Sequence, residues 1–176
     1  DNVWLDENDW LHLKITHRDG KWYSAEVFTE QSLGYGKYTF YVVGKLDQLN
    51  ENAILGLFNY EDHSREIDIE FSRWGEPLND NSQYVIQPYT VDGNTYKFNT
   101  ITEGTHTTHW FDWNPNRIFF QSIHGHSLSL ATPNHLIDSW TYTGNHIPTQ
   151  GNEKTHINLW LLRGTPPSDG KEIEII

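Results

Sequence analysis

Polar and apolar residues alternate with a period of two in segment after segment of this 176-residue chain. In residues 11–16, leucine or isoleucine occupies every second position, and His12, Lys14 and Thr16 occupy the others. Successive side chains of a strand point to opposite faces, so the pattern predicts half-buried strands. An Asp19-Gly20 pair follows directly, and Asp-Gly between two such segments predicts a tight hairpin.

Ten segments show strand patterns, and turn signals such as Asn114-Pro115-Asn116 separate them at intervals of about 8–12 residues. No segment has the periodicity of a long helix, which argues against a parallel sheet with crossover helices. We therefore predict an all-β fold, a two-sheet antiparallel β-sandwich. The stretch 130–153, with two prolines and two glycines, is predicted to be a long surface connection. The predicted strands are 11–16, 22–29, 36–43, 53–59, 66–72, 83–89, 108–113, 117–122, 156–162 and 171–176.

The charge balance excludes several classes of partner. Acidic residues outnumber basic residues by 24 to 12, which gives a formal charge of −12. Such a charge repels phosphate backbones and anionic lipids, so we expect no nucleic-acid partner and no membrane partner. The chain has no cysteine, which excludes disulfides and thiolate chemistry. It also has no methionine, and both ends fall inside patterned segments. We therefore expect a single domain over residues 1–176, trimmed at both termini.

The most informative segment is Glu66-Ile67-Asp68-Ile69-Glu70. On a strand, the three carboxylates line one face while the two isoleucines point to the other face. Neighbouring carboxylates cannot all ionise freely, so at least one of them should keep its proton to an unusually high pH. One acid beside one base is what glycoside hydrolysis needs.

Geometry places a condition on this interpretation. Retaining glycosidases hold their two working carboxyl groups about 5–5.5 Å apart, whereas Cα atoms four residues apart in a flat strand are separated by roughly 13 Å. We therefore expect a curved sheet with a concave substrate cleft. The eight tryptophans, nine tyrosines and eight phenylalanines offer rings on which sugars could stack. The alternative is that the acidic row is only the solvated side of an antiparallel strand.

The uninterrupted EIDIEF segment resembles the Glu-x-Asp-x-Glu motif of glycoside hydrolase family 16. The resemblance extends over about residues 4–176 and implies a concanavalin-like jelly roll. Other matching segments are WYSAEVFTEQSLGYGKYTF, AILGLFNYED, HWFDWNPNRIFFQ and INLWLLRG.

The resemblance also implies a chemistry. By position, Glu66 corresponds to the family's nucleophile, Asp68 to the assisting carboxyl and Glu70 to the general acid/base. The implied enzyme is a retaining endo-glycosidase that hydrolyses internal β-glycosidic bonds, with a β-1,3- or β-1,3-1,4-glucan as the leading substrate. Because such polymers do not enter cells intact, a secreted protein is expected, and we further expect a monomer. The chemistry requires no cofactor; a structural calcium is common in the family, but its ligands cannot be placed here.

Eight further positions match residues that contact substrate in the family. Phe58 and Trp160 could equally be core residues, and Tyr35 is the weakest of the set. Two departures leave the choice of polysaccharide open: Phe28 replaces a substrate-binding arginine of lichenase-like members, and His109 replaces a frequent tyrosine. The eight positions are Glu26, Tyr35, Phe58, Tyr60, Gln87, Tyr89, Asn158 and Trp160.

Two other functions are compatible with the same residues. The sandwich also hosts lectins, so a non-catalytic carbohydrate-binding domain is the alternative from another class. A lectin, however, has no need of three aligned acids beside aromatic residues. A transglycosylase would use the same nucleophile and differ only in the acceptor that attacks the intermediate, which sequence spacing does not reveal.

Overall fold

The computed structural model describes residues 2–127 and 134–176, and within them it contains fourteen β-strands and two short 3₁₀ helices, Leu46–Gln48 and Leu162–Gly164. No helix in this part of the chain is long and apolar enough to cross a membrane. The strands are β1 (Val3–Leu5), β2 (Leu11–Arg18), β3 (Lys21–Tyr23), β4 (Ala25–Phe28), β5 (Gly36–Val43), β6 (Ala53–Asp62), β7 (Arg65–Phe71), β8 (Ser82–Ile86), β9 (Thr95–Phe98), β10 (His106–Asn114), β11 (Arg117–His124), β12 (Leu136–Tyr142), β13 (Lys154–Leu161) and β14 (Ile173–Ile175).

One layer is a six-stranded antiparallel sheet in the order β4-β13-β6-β7-β8-β9. The acidic segment forms β7, near the middle of this sheet. On the inner side of β7, Ile67, Ile69 and Phe71 are each at most 1% exposed. The alternation of the sequence therefore decides which face of β7 enters the core.

The second layer contains the path β12-β11-β10-β5 and the path β1-β2-β14, with β3 paired to β2. Two backbone hydrogen bonds join the paths, since Val43 donates to Ile176 at 2.6 Å and Ile176 donates back to Val43 at 3.1 Å. Apolar side chains from both layers, among them Phe111 and Phe120, form one core cluster. The predicted two-sheet antiparallel sandwich is confirmed.

An apolar cavity of about 430 Å³ lies between β2 and β5 of the second layer. Leu55 and Leu57 of β6 and Ile157 of β13 reach it from the opposite sheet. Its other lining residues are Trp10, Leu11, Leu13, Thr39, Phe40, Tyr41, Val42, Val43, His126, Ile175 and Ile176. We refer to this space as the apolar cavity.

The predicted hairpin is confirmed, because Arg18 pairs with Lys21 across the turn. Asp19 and Gly20 have φ angles of 50° and 73°, the left-handed conformation that both central residues of a type I′ turn need. The turn at Asn114-Pro115-Asn116 likewise joins β10 to β11.

The prediction of a surface connection over 130–153 is wrong for its central part, which forms β12. Residues 130–133 of that stretch lie outside the described residues. β1 and β9 were also not predicted, and the predicted strand 22–29 is divided into β3 and β4. All of the unpredicted strands lie at sheet edges. An edge strand buries less of its surface, so its alternation is weaker; in β12 only Tyr142 is buried.

Candidate active site

The three carboxylates lie on the same side of β7, facing away from the core. We call this side of the six-stranded sheet the acidic face. On β6, Phe58 lies opposite Asp68 and Tyr60 opposite Glu66. On β8, Gln83 lies opposite Glu70. The neighbouring strands thus place aromatic and amide side chains beside the acidic row.

Burial raises the pKa of every carboxyl group in the row. For Glu70 it is the main cause of a pKa of about 7, to which the charge of Glu66 also contributes. The pKa of Asp68 lies well above its ordinary value because of burial and then because of the charges of Glu66 and Glu70. For Glu66, burial raises the pKa, while a hydrogen bond with Asp68 and the charge of His63 oppose the rise. The row therefore holds protons at pH values where free carboxylic acids are ionised.

Asp68 lies at the centre of this arrangement and is only 3% exposed. Its hydrogen bond with Glu66 lowers the pKa of Glu66 and raises that of Asp68, so a proton resides preferentially on Asp68. Gln87 lies near enough to Asp68 to oppose the rise in the pKa of Asp68. The Oε1 atom of Gln87 accepts from the backbone N–H of Tyr89 at 2.9 Å.

Glu70 has a separate partner on the neighbouring strand. Nε2 of Gln83 donates to Oε2 of Glu70 at 2.6 Å, and this hydrogen bond opposes the rise in the pKa of Glu70. Gln83 is not among the functional residues predicted from the sequence. Its position opposite Glu70 depends on the register of β7 against β8. Alternation within a single strand does not reveal that register.

Gly56 lies opposite Glu70 on the other neighbouring strand, β6. Its backbone N–H donates to Oδ1 of Asn158 at 3.1 Å. A Cβ atom at this position would lie 2.6 Å from the same oxygen, closer than real Cβ contacts allow. Glycine therefore lets the Asn158 side chain approach the backbone of β6.

Three rings stack beside the acidic row. The ring of His156 lies between those of Phe28 and Phe58, at centroid distances of 5.1 and 4.8 Å and interplanar angles of 24° and 21°. Tyr60 meets His156 edge-on at 6.0 Å. Nδ1 of His156 is 2.7 Å from Oε1 of Glu26. His156, which the sequence analysis missed, thus connects two predicted substrate-binding residues, Glu26 and Phe58.

Glu26, Asn158 and Trp160 line a second cavity, of about 390 Å³, together with Ser24 and Ala25. We refer to it as the polar cavity. Asn158 pairs directly with Glu26 across β13 and β4. The structure therefore brings these three predicted residues together at one place on the acidic face.

Other predicted residues lie apart from this group. Tyr35 packs edge to face on the core residue Trp113, at a centroid distance of 4.8 Å. Tyr89 follows β8 and is 66% exposed. His109 lies in the core, with Nδ1 2.8 Å from Ser122 Oγ, and burial lowers its pKa to about 3, so its ring is neutral.

No group of three or more histidine or acidic side chains in residues 2–127 and 134–176 is arranged to hold a metal ion. The described residues thus provide no set of ligands to which the structural calcium considered above can be assigned.

Comparison with solved structures finds the same architecture in several glucan-hydrolase structures. The β-glucanase of Bacillus licheniformis is 22% identical, with a TM-score of 0.67 over 99% of this chain and 78% of that one. A β-1,3-1,4-glucanase (lichenase) derived from a mouse hindgut metagenome is 20% identical, with a TM-score of 0.67 over 99% and 79%. An immunostimulatory antigen and pseudo β-1,3-glucanase of Mycobacterium tuberculosis is 22% identical, with a TM-score of 0.68 over 99% and 74%.

The chain has the β-glucanase fold. The resemblance seen in the sequence is thereby confirmed for the jelly-roll architecture. No protein-family model and no curated protein sequence matches the chain. Because the structural neighbours include a protein described as a pseudo β-1,3-glucanase, the fold alone does not decide whether a member is catalytic.

Proposed function

We propose that this chain is a retaining endo-glycosidase that hydrolyses internal β-glycosidic bonds of a β-1,3- or β-1,3-1,4-glucan. The observation that carries the proposal is the row of Glu66, Asp68 and Glu70 on one face of β7, where burial raises the pKa of all three carboxyl groups. The pKa of Glu70 is about 7, and for Glu66 a hydrogen bond with Asp68 opposes the rise. An acid and a base on the same face are the two groups that glycoside hydrolysis requires.

In the first half of the cycle, Glu70 donates its proton to the oxygen of the leaving sugar. The carboxylate of Glu66 attacks the anomeric carbon, so the glycosidic C–O bond breaks and a glycosyl ester of Glu66 forms. In the second half, the ionised Glu70 takes a proton from water, and the resulting hydroxyl group displaces Glu66. Two inversions at one carbon leave the product with the configuration of the substrate.

Asp68 supports the nucleophile through its hydrogen bond to Glu66. Because the proton resides preferentially on Asp68, Asp68 can donate to the Glu66 carboxylate before attack. The same contact holds the carboxylate in one orientation, which lowers the entropic cost of reaching the anomeric carbon.

A neutral β-glucan suits the surroundings of the acidic row. The carboxylates would repel sulfated or carboxylated polymers, while aromatic rings such as Trp160 can pack against the apolar face of a sugar. The β-glucanase and lichenase structures with the same fold support this substrate class. A polymeric substrate would also place the protein outside the cell.

Product analysis on a panel of polysaccharides tests the proposal. The panel is laminarin, barley mixed-linkage glucan, xyloglucan, agarose and carrageenan, and reducing ends and oligosaccharide masses are measured for the wild type and for Glu66→Gln. We expect oligosaccharides from a β-glucan with the wild type only, while circular dichroism shows that Glu66→Gln is folded. NMR should detect the β-anomer as the first product. An α-anomer first, or full activity of Glu66→Gln, would overturn the mechanism.

A non-catalytic carbohydrate-binding domain is the second candidate, favoured by the structural similarity to a pseudo β-1,3-glucanase. It predicts retardation in a glucan affinity gel without release of reducing ends. A transglycosylase would instead give products longer than the substrate when an acceptor oligosaccharide is supplied.

A further inference from the structure

His156 is held more firmly than an imidazole at the surface of a sheet usually is. Its ring is stacked on both sides, by Phe28 and by Phe58, and its side chain is only 13% exposed. A ring enclosed between two other rings has little freedom to change rotamer. His156 is therefore a rigid element between β4 and β6.

Glu26 is the side chain that this rigid ring contacts. The Glu26 side chain is 49% exposed, and an exposed glutamate that is fixed in one conformation loses rotamer entropy. Nδ1 of His156 lies 2.7 Å from Oε1 of Glu26. Nδ1 carries a proton in the neutral Nδ1–H tautomer and in the imidazolium. His156 can therefore donate this hydrogen bond to the carboxylate in either form.

The position of Glu26 determines what the polar cavity offers a ligand. Oε2 of Glu26 makes no hydrogen bond within the described part of the chain, and neither does Nδ2 of Asn158, whose Oδ1 accepts from Gly56. The cavity therefore presents a free acceptor, a free donor and the ring of Trp160, and no lysine or arginine lines it. Such a set suits the hydroxyl groups of an uncharged sugar.

We propose that His156 is a positioning residue that holds the Glu26 carboxylate ready to accept a hydrogen bond from a sugar hydroxyl in the polar cavity. This inference deepens the proposed function and rests on it for the identity of the sugar. Preorganisation of this kind lowers the cost of binding without touching the reacting atoms. Loss of His156 should consequently raise KM and leave kcat unchanged.

His156→Phe is the informative variant, because it keeps an aromatic ring in the stack and removes the Nδ1–H donor. Glu26→Gln is its partner in a double-mutant cycle. We expect each single variant to raise KM about 10- to 150-fold, the range for loss of a hydrogen bond to a charged group. The double variant should raise KM no more than Glu26→Gln alone. His156→Gln, which restores an N–H donor, should recover part of the loss.

The melting temperature distinguishes a positioning role of His156 from a purely structural one. If His156 only positions Glu26, His156→Phe should change the melting temperature by less than about 2 °C. KM within twofold of the wild type for His156→Phe, or additive effects in the double variant, would overturn the proposal. The dissociation constant of a β-glucan oligosaccharide, measured by calorimetry in the Glu66→Gln background, repeats the cycle without hydrolysis. If no polymer is cleaved but binding weakens non-additively, the positioning role stands and the hydrolase proposal fails.

Discussion

The apolar cavity and the polar cavity have similar volumes, about 430 and 390 Å³, but very different linings. The apolar cavity is surrounded by leucine, valine and isoleucine side chains of the core, and its one titratable imidazole, His126, bonds to a backbone carbonyl. The polar cavity lies on the acidic face, where Asn158 is opposite Gly56 and Gly56 is opposite Glu70, whose pKa is raised. Size and apolarity would favour the apolar cavity as a ligand site. The carboxyl groups of the acidic row, however, lie on the same face as the polar cavity. Cavity volume and perturbed titratable groups thus point to different candidate sites in this molecule.

The largest effect should come from the acidic face. Glu70→Gln removes the proton donor and should lower kcat on a β-glucan by about 10²- to 10⁴-fold. Reducing-end assays at pH 6 measure the change, and circular dichroism shows whether the variant is folded. Activity within tenfold of the wild type would mean that another group protonates the leaving oxygen.

The lining of the apolar cavity should affect stability alone. Leu57 is 1% exposed and reaches this cavity, so Leu57→Ala should cost about 3 kcal/mol of the free energy of unfolding. Activity per folded molecule should remain unchanged at a temperature well below the midpoint. Urea titration and the β-glucan assay are the two measurements. A folded Leu57→Ala protein with altered KM would show that the two cavities are coupled.

Glu70→Gln should also stabilise the fold, in a pH-dependent way. The pKa of Glu70 is raised to about 7 in the folded state, so the native state favours the protonated acid and loses stability as pH rises through that value. A glutamine cannot ionise. The variant should therefore match the wild type near pH 4.5 and exceed it by about 3 kcal/mol at pH 8. If the free energies of unfolding of Glu70→Gln and the wild type differed by the same amount at pH 4.5 and at pH 8, the raised pKa of Glu70 would be contradicted.

The smallest effect should be a shift of the pH profile. Activity requires ionised Glu66 and protonated Glu70, so kcat/KM should be bell-shaped, with an upper limb near pH 7. Gln83→Leu removes the hydrogen bond that opposes the rise in the pKa of Glu70 and should move the upper limb to higher pH by roughly half a unit to one unit. Gln48→Leu, at an exposed position in the helix Leu46–Gln48, is the matched control. A limb that stays in place would mean that Gln83 does not tune Glu70.

The parts of the molecule that depend on one strand at a time could be predicted from the sequence. The alternation of β7 alone assigns Glu66, Asp68 and Glu70 to one face, and the Asp19-Gly20 pair assigns the hairpin. The edge strands β1, β9 and β12 could not be predicted, because an edge strand buries little and its pattern is weak. Gln83 and His156 were missed for a different reason: their roles depend on cross-strand register, which long-range pairing determines. The roles of the predicted site residues stay predictions until the variants are measured.

Gly56 has a consequence for how this protein tolerates mutation. It lies opposite Glu70 on the acidic face and not in the hydrophobic core cluster. The packing of that cluster alone therefore gives no reason to expect a cost for a substitution at this position. Any side chain would nevertheless meet Oδ1 of Asn158 at 2.6 Å and force that amide away from β6. In a library of all single substitutions selected for glucan cleavage, position 56 should be depleted of larger residues, though less strongly than the carboxylate positions. Selected only for folding, it should accept small residues.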